Sequence, residues 1–81
     1  MPQSQVWEDW ESRAKQRLVN EMKVRKVSYK ELSRRLEVIR IYESPDRLNR
    51  KVNRKGFSAA FFLACCEAMG IEVVLEPRNK E

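Results

Sequence analysis

Residues 44–71, SPDRLNRKVNRKGFSAAFFLACCEAMGI, decide the fold because they contain two helix starts separated by a glycine. Ser44 before Pro45 is a favourable start, since serine caps free amides and proline at the first helical position loses no hydrogen bond. Gly56 is a suitable helix end, and Ser58 can cap the helix that follows. The stretch therefore predicts two consecutive helices joined by a short turn.

The second of these helices is almost free of charge. Its body, AAFFLACCEAM, carries Glu67 as the only charged residue, and Gly70 supplies a natural end. Such a composition predicts the central buried helix of the domain. Cys65 and Cys66 could form a redox switch, but their apolar surroundings favour small core residues instead.

The first helix is expected to begin after Ser4, which can cap it, and to run to about Arg25. Its apolar residues recur every three or four positions and so share one helical face. They are Trp7, Trp10, Ala14, Leu18 and Met22. The two tryptophans could stack on bases, but their place on this face favours packing in a core or a dimer contact.

A second helix is predicted from Ser28, because Ser28 and Glu31 have the spacing of a capping box. Val27 and Leu32 stand at the positions of a hydrophobic staple. The buried face of this helix is predicted to consist of Leu32, Leu36 and Ile39. The residues after it are ambiguous between helix end and loop.

The segment after Gly70 differs from the rest. Residues 71–76, IEVVLE, are rich in β-branched residues and partly alternate, which predicts a short strand. We expect residues 77–81 to form a loose tail. The sequence as a whole predicts a single domain over residues 1–81, in the all-α class, with four or five helices and this short C-terminal β-strand.

Composition excludes several function classes. The chain has 81 residues, 42% of them apolar, which suits one small folded domain. It contains no His and only two cysteines, which are adjacent. The commonest general base is thus missing, a disulfide between distant segments is impossible, and no zinc site is expected. We expect neither enzymatic activity nor a metal or cofactor, and oligomerisation is the remaining route to extra stability.

Targeting signals are not evident either. No apolar run approaches the roughly 18 residues of a membrane span, and the N-terminus lacks the features of a signal peptide. These observations predict a cytoplasmic protein without a membrane partner. Its basic character, with 17 Lys and Arg against 12 Asp and Glu, adds the expectation of association with the nucleoid.

The positive charge is concentrated in the middle of the chain. Net charge is +2 over residues 1–27, +5 over residues 28–55 and −2 over residues 56–81. On the helix expected after Ser44, Leu48 and Val52 point one way while Arg50 and Arg54 point the other. The outward face is thus basic and amide-bearing, which suits DNA bases and phosphates, although a solvated surface without a ligand is the plain alternative.

Two segments carry a family resemblance: VSYKELSRRLEV at 27–38 and LNRKVNRKGFSAAFFLACCEAMGIE at 48–72. The best matching motifs are Ser-x-x-Glu-Leu at 28–32 and Leu-x-x-Cys-x-x-Met-Gly-Ile at 63–71. Together they resemble the phage repressor and Cro-like helix-turn-helix superfamily, and are most similar to a group of small uncharacterised bacterial domains within it. The resemblance covers about residues 16–71, and implies a lambda-repressor-like fold.

The resemblance also implies site residues. The basic helix at about 45–55 would be the recognition helix. The base-contacting residues would be Arg47, Arg50, Asn53 and Arg54. The phosphate-contacting residues would be Ser28, Tyr29, Lys30, Asn49, Lys51 and Lys55. One departure from the family is the connection from Leu36 to Ser44, which is longer than the usual tight turn and predicts a longer second helix or a longer turn.

These observations favour a sequence-selective protein that binds double-stranded DNA and acts as a transcriptional regulator, such as a repressor, in the form of a homodimer. The alternatives are a protein-interaction module, for example an antitoxin or adaptor, and an RNA-binding protein. The expected dimer pairs the C-terminal strand antiparallel with its copy, with the tryptophans nearby. Its interface residues would be Trp7, Trp10, Ile71, Val73 and Leu75.

Overall fold

A computed structural model describes residues 3–78, which form four helices. They are α1 (Gln3–Arg25), α2 (Tyr29–Val38), α3 (Pro45–Arg54) and α4 (Ala59–Ala68). The described residues contain no strand, so the all-α class predicted from the sequence is confirmed. None of the helices in this part of the chain is long and apolar enough to cross a membrane.

Three serines start three of the helices. The side chains of Ser28, Ser44 and Ser58 each accept a hydrogen bond from the backbone amide three residues later, at 3.0 to 3.2 Å. Each serine has an extended backbone, as an N-cap residue requires. The three helix starts predicted from these serines are therefore confirmed.

Helices α1, α2 and α4 end in the same hydrogen-bonded turn. In each, the amide of an apolar residue binds the carbonyl five residues earlier: Val27 to Met22 at 2.8 Å, Ile41 to Leu36 at 3.0 Å and Ile71 to Cys66 at 2.8 Å. The residue before each has a positive φ, as a Schellman motif requires, and these residues are Lys26, Arg40 and Gly70. The motif turns the following apolar residue back onto the core.

The core draws on all four helices. Its buried residues form one cluster, made of Leu18, Met22, Val27, Leu32, Leu36, Leu48, Val52, Cys65 and Met69. Helix α2 packs against both α3 and α4, and α1 packs against α4. Because Leu48 and Val52 are fully buried, the opposite side of α3 faces solvent.

Several boundaries differ from those predicted. Ser4 lies inside α1 rather than capping it, because the helix already includes Gln3. Ile39 is 37% exposed instead of buried, since α2 ends at Val38 and the chain turns there. Helix α3 ends at Arg54, where Lys55 takes a positive φ before Gly56 does.

Helix α4 is less buried than predicted. Cys65 and Cys66 face the core, but Leu63 is 50% exposed. The first turn of the helix also carries exposed alanines. Absence of charge was a misleading guide here, because α4 packs against α1 and α2 and still leaves part of its apolar surface in solvent. Phe57, just before the cap Ser58, packs on Phe62 of α4, with stacked rings whose centroids lie 6.4 Å apart.

The predicted strand is not formed within the chain, because residues 71–78 follow α4 without regular secondary structure. A strand needs a partner, and residues 3–78 of one chain supply none for this segment. Its pairing with a second copy stays a prediction. The part of the predicted loose tail at residues 79–81 lies outside the described residues, as do residues 1 and 2.

Removing the Ser28 cap should cost about 1 kcal/mol of unfolding free energy. Half of the predicted capping box is wrong, since the Glu31 carboxylate binds Arg34 and Arg35 instead of the Ser28 amide. The loss on Ser28→Ala should therefore come from one hydrogen bond alone, and urea unfolding measures it. Ser4→Ala is the matched control, with an expected change below about 0.5 kcal/mol because Ser4 caps nothing. Equal stabilities for the two variants would contradict the cap assignment.

Candidate nucleic-acid interface

The solvent side of α3 is a row of arginines. Arg47, Arg50 and Arg54 are exposed, on the side of the helix opposite buried Leu48 and Val52. With Lys51 they line a shallow cleft of about 300 Å³. The arginines predicted to contact bases thus share one accessible surface.

Glu43, in the turn before α3, neutralises part of this surface. Its carboxylate lies 2.7 Å from the Lys51 ammonium and 3.4 Å from the Arg47 guanidinium. The hydrogen bond from Lys51 lowers the pKa of Glu43, against an opposing effect of burial. Like charges four residues apart on a helix repel each other, and Glu43 offsets this repulsion between Arg47 and Lys51, a role that sequence reasoning missed.

Two lysines predicted to contact phosphate are engaged within the domain. Lys51 binds Glu43, and its ammonium also lies 5.3 Å from the centre of the Phe61 ring. Lys55 donates a 3.1 Å hydrogen bond to Ser12 on α1 and lies 3.9 Å from Glu8. Both lysines therefore attach α3 to neighbouring elements.

Arg50 and Arg54 stand apart from these contacts. Within residues 3–78 neither forms an ion pair with a carboxylate. Two exposed guanidinium groups one helical turn apart, with their charge uncompensated, attract an anionic partner. They are the centre of the candidate site.

Amide side chains extend the site toward α2. Asn53 donates a 2.8 Å hydrogen bond to the backbone carbonyl of Asn49 and contacts its side-chain oxygen as well. Tyr29, at the start of α2, is half-buried; burial raises its pKa, while the nearby Asn53 side chain acts in the opposite direction. Asn53, in the second half of α3, therefore lies close to the N-terminus of α2.

The N-terminus of α2 carries the other predicted phosphate contacts. Ser28 and Lys30 are exposed beside Tyr29. Unpaired amides and the helix dipole make such an end attractive to anions, and the Lys30 ammonium adds a full charge. Because α2 packs against α3, the phosphate-contacting candidates at the start of α2 and the base-contacting candidates of α3 lie on neighbouring helices.

The arginines of α2 are less available. Glu31 lies 2.6 Å from Arg34 and 2.8 Å from Arg35. Hydrogen bonds from Arg34 and then Arg35 lower the pKa of Glu31 to about 2. The net charge that these three residues present to solvent is therefore close to that of a single arginine.

The turn between α2 and α3 has residues 39–44 between the helix ends. Its first part is the Schellman motif at Arg40, and the Ser33 hydroxyl then donates a 2.6 Å hydrogen bond to the Glu43 carbonyl. The longer connection predicted from the sequence is therefore located mainly in the turn. Because Ser33 holds the turn to α2, the added length does not leave α3 loosely attached.

Metal-binding and reactive side chains in the described part of the chain, residues 3–78, offer no second site. Residues 3–78 contain no cluster of His, Cys, Asp and Glu that could hold a metal ion. Cys65 and Cys66 are free thiols in the core. Burial raises the pKa of Cys65 to about 12, with a smaller contribution from Cys66, so the thiolate form is strongly disfavoured.

Comparison with protein families gives one match, over residues 10–74, to a family described as Domain of unknown function (DUF6471). The chain belongs to the DUF6471 family. The DUF6471 match includes α2, α3, α4 and all of the candidate interface, but begins after Trp7 and stops before Leu75. Comparison with curated proteins found no match, and comparison with solved structures found none.

Proposed function

We propose that this DUF6471 domain binds double-stranded DNA with sequence selectivity and acts as a transcriptional regulator. The observation that carries the proposal is the pair Arg50 and Arg54, exposed and without a carboxylate partner in the described chain. Arginine forks onto guanine in the major groove, and the neighbouring Asn53 can pair with adenine. In this role α3 is the recognition helix.

The arrangement of the helices supports a helix-turn-helix reading and membership of the phage repressor and Cro-like superfamily. Helix α2 packs against α3, which follows it after the turn at residues 39–44, and α2 also packs against α4. In that arrangement the second helix of the motif enters the major groove while the first lies across the backbone. The exposed N-terminus of α2 would contact phosphate through Ser28, Tyr29 and Lys30.

Not every basic residue serves this role. Arg47 is exposed and can reach a base edge or a phosphate while it retains its contact with Glu43. Lys51 and Lys55 carry structural contacts to Glu43 and to α1. Affinity from phosphate contacts would therefore rest chiefly on the N-terminus of α2 and on the arginines of α3.

A homodimer completes the proposal. One recognition helix reads only a few base pairs, whereas a two-fold dimer reads two half-sites spaced by a helical turn. The exposed apolar residues at the two ends of the chain, Trp7 and Trp10 in α1 and Val73 and Leu75 after α4, are available for contact between copies. A dimer would therefore produce a two-fold symmetric operator.

Selection from randomised duplexes, followed by footprinting at fixed salt, tests this function. The expected result is a defined, two-fold symmetric sequence that is bound at least about 10³-fold more tightly than unrelated duplex. Single-stranded RNA and duplex RNA of matched length are the competitors. Equal binding of every duplex, or preferential binding of RNA, would overturn the proposal.

A protein-interaction role, as in an antitoxin or adaptor, is the second candidate. It is supported by Val38 and Tyr42, which are 76% and 74% exposed beside the basic face. Exposed apolar residues next to a charged surface are typical of protein interfaces. Failure of the selection experiment to enrich any nucleic acid would favour this candidate.

A further inference from the structure

A groove between α1 and α4 lies apart from the basic face. Its volume is about 460 Å³, and its apolar lining includes Trp10, Ala14, Phe57 and Phe62. Trp10 is 55% exposed although it stands on the apolar stripe of α1. Grooves of this size and composition accommodate small apolar groups such as the side chains of an extended peptide.

Two arginines also line this groove. Arg13 and Arg17 lie one turn apart on α1, and the Arg13 guanidinium sits 4.5 Å from the centre of the Trp10 ring. Within the part of the chain that the structure describes, neither arginine is paired with a carboxylate. The groove therefore suits a segment that is both apolar and acidic.

The segment after α4 has that composition. Residues 71–76, IEVVLE, alternate acids with apolar residues in part, and the region from residue 56 onward is the acidic part of this basic chain. Val74 is 63% exposed and Leu75 is 92% exposed. Glu72 and Glu76 have no ion-pair partner among residues 3–78. Groove and segment are thus complementary in charge and in apolar surface.

The positions of groove and segment favour exchange between two chains. The groove lies at the first turn of α4, beside Phe57, whereas the segment leaves the last turn, after Gly70. At 1.5 Å per residue the ten-residue helix separates them by about 15 Å. The Schellman motif holds Ile71 at the far end of α4. In a two-fold dimer, each copy can fill the other's groove, and both contacts are equivalent.

We propose that residues 71–76 of one copy dock in the α1–α4 groove of a second copy, with Glu72 and Glu76 facing Arg13 and Arg17. Val74 lies on the same side of an extended segment as Glu72 and Glu76, so this contact buries Val74 against Trp10. It differs from antiparallel pairing of two C-terminal strands, because the segment binds helices rather than its own copy. The proposal does not depend on nucleic-acid binding.

Charge reversal tests the contact. One variant carries Arg13→Glu and Arg17→Glu, and the other carries Glu72→Arg and Glu76→Arg. Sedimentation at equilibrium should show a dimer for the parent and at least a tenfold weaker dimer for each variant alone, since like charges then face each other. An equimolar mixture should form a heterodimer close to the parent in affinity, because each groove again meets a segment of opposite charge.

The controls separate this contact from other assemblies. Lys15→Glu with Lys23→Glu makes the same charge change on α1, at positions that do not line the groove, and should leave the dimer intact. Trp10→Ala should weaken the dimer at least tenfold, with an unchanged melting temperature when both proteins are compared at a concentration at which they are monomeric, because Trp10 lies outside the core. No DNA enters these experiments, so their outcome is independent of the proposed DNA binding.

Three results would overturn the proposal. The first is a parent chain that is monomeric at about 100 μM, a concentration that detects even weak association. A chain whose segment fills its own groove would give this same result. A dimer that survives Arg13→Glu with Arg17→Glu uses another surface, such as strand pairing. A mixture of the two charge-reversed variants that stays monomeric shows that the four side chains do not meet.

Discussion

The double variant Arg50→Ala/Arg54→Ala is expected to lose specific duplex binding while keeping its fold. Each good base contact by an arginine is worth about 1 to 3 kcal/mol, so the two together should weaken binding by roughly 30-fold to 10⁴-fold. Both side chains are exposed and neither touches a carboxylate of the described chain, so their removal leaves no buried charge behind. Fluorescence anisotropy with the selected duplex at constant salt measures the loss.

Arg25→Ala is the matched control for that variant. Arg25 is an exposed arginine on α1, paired with Glu21 at 3.2 Å and away from α3. Its removal takes away the same side chain but should change specific affinity less than about threefold, through the general loss of one positive charge. If the double variant binds as tightly as Arg25→Ala, then α3 is not the recognition helix.

Leu48→Ala is expected to have the largest effect on stability, a loss of about 2 to 5 kcal/mol of unfolding free energy. Leu48 is fully buried among residues of the single core cluster, and its truncation leaves a cavity there. A domain of this size has only about 5 to 10 kcal/mol of stability in total, so the variant should be partly unfolded at 37 °C. Circular dichroism during urea unfolding gives the difference.

Leu63→Ala makes the same chemical change on a half-exposed site. The expected loss is about 1 kcal/mol, because half of the side chain already contacts water and no closed cavity forms. A Leu48→Ala variant as stable as Leu63→Ala would contradict the placement of α3 on the core. DNA binding of Leu48→Ala should fall in proportion to its folded fraction.

Local chemistry explains why the helix starts were predictable. An N-cap contact joins residues three apart, so Ser28, Ser44 and Ser58 could be recognised from the sequence alone. The buried and exposed sides of α3 were equally predictable, because helical periodicity places Leu48 and Val52 on one side and the arginines on the other. These features required no knowledge of the tertiary structure.

Contacts between distant residues were not predictable in the same way. Lys55 binds Ser12 on α1, which lies 43 positions earlier, so no local pattern signals it. Glu43 reaches Lys51 only because the turn at Arg40 and the Ser33 hydrogen bond place it beside α3. The sequence offered one usable signal of the role of Glu43, namely its spacing of four residues from Arg47, which is typical of a helical ion pair.

Burial of α4 was misjudged for a related reason. Composition predicts the apolar character of a helix but not how much of it the neighbouring helices cover, and Leu63 is 50% exposed although α4 packs against α1 and α2. The predicted burial of Ile39 was wrong for a similar reason, because periodicity does not show that α2 ends one residue earlier, at Val38. The positive φ angles of Lys26 and Arg40 were also not predicted, because glycine is the residue that normally indicates such a conformation in a sequence.

The buried thiols of α4 provide a way to measure how often the folded domain opens transiently. Alkylating reagents attack the thiolate, and Cys65 is both inaccessible and held in the protonated form by its surroundings. Modification must therefore wait for a fluctuation that exposes the helix to solvent. The rate at which a thiol reagent consumes Cys65 measures the population of open molecules under native conditions, with no denaturant and no added label.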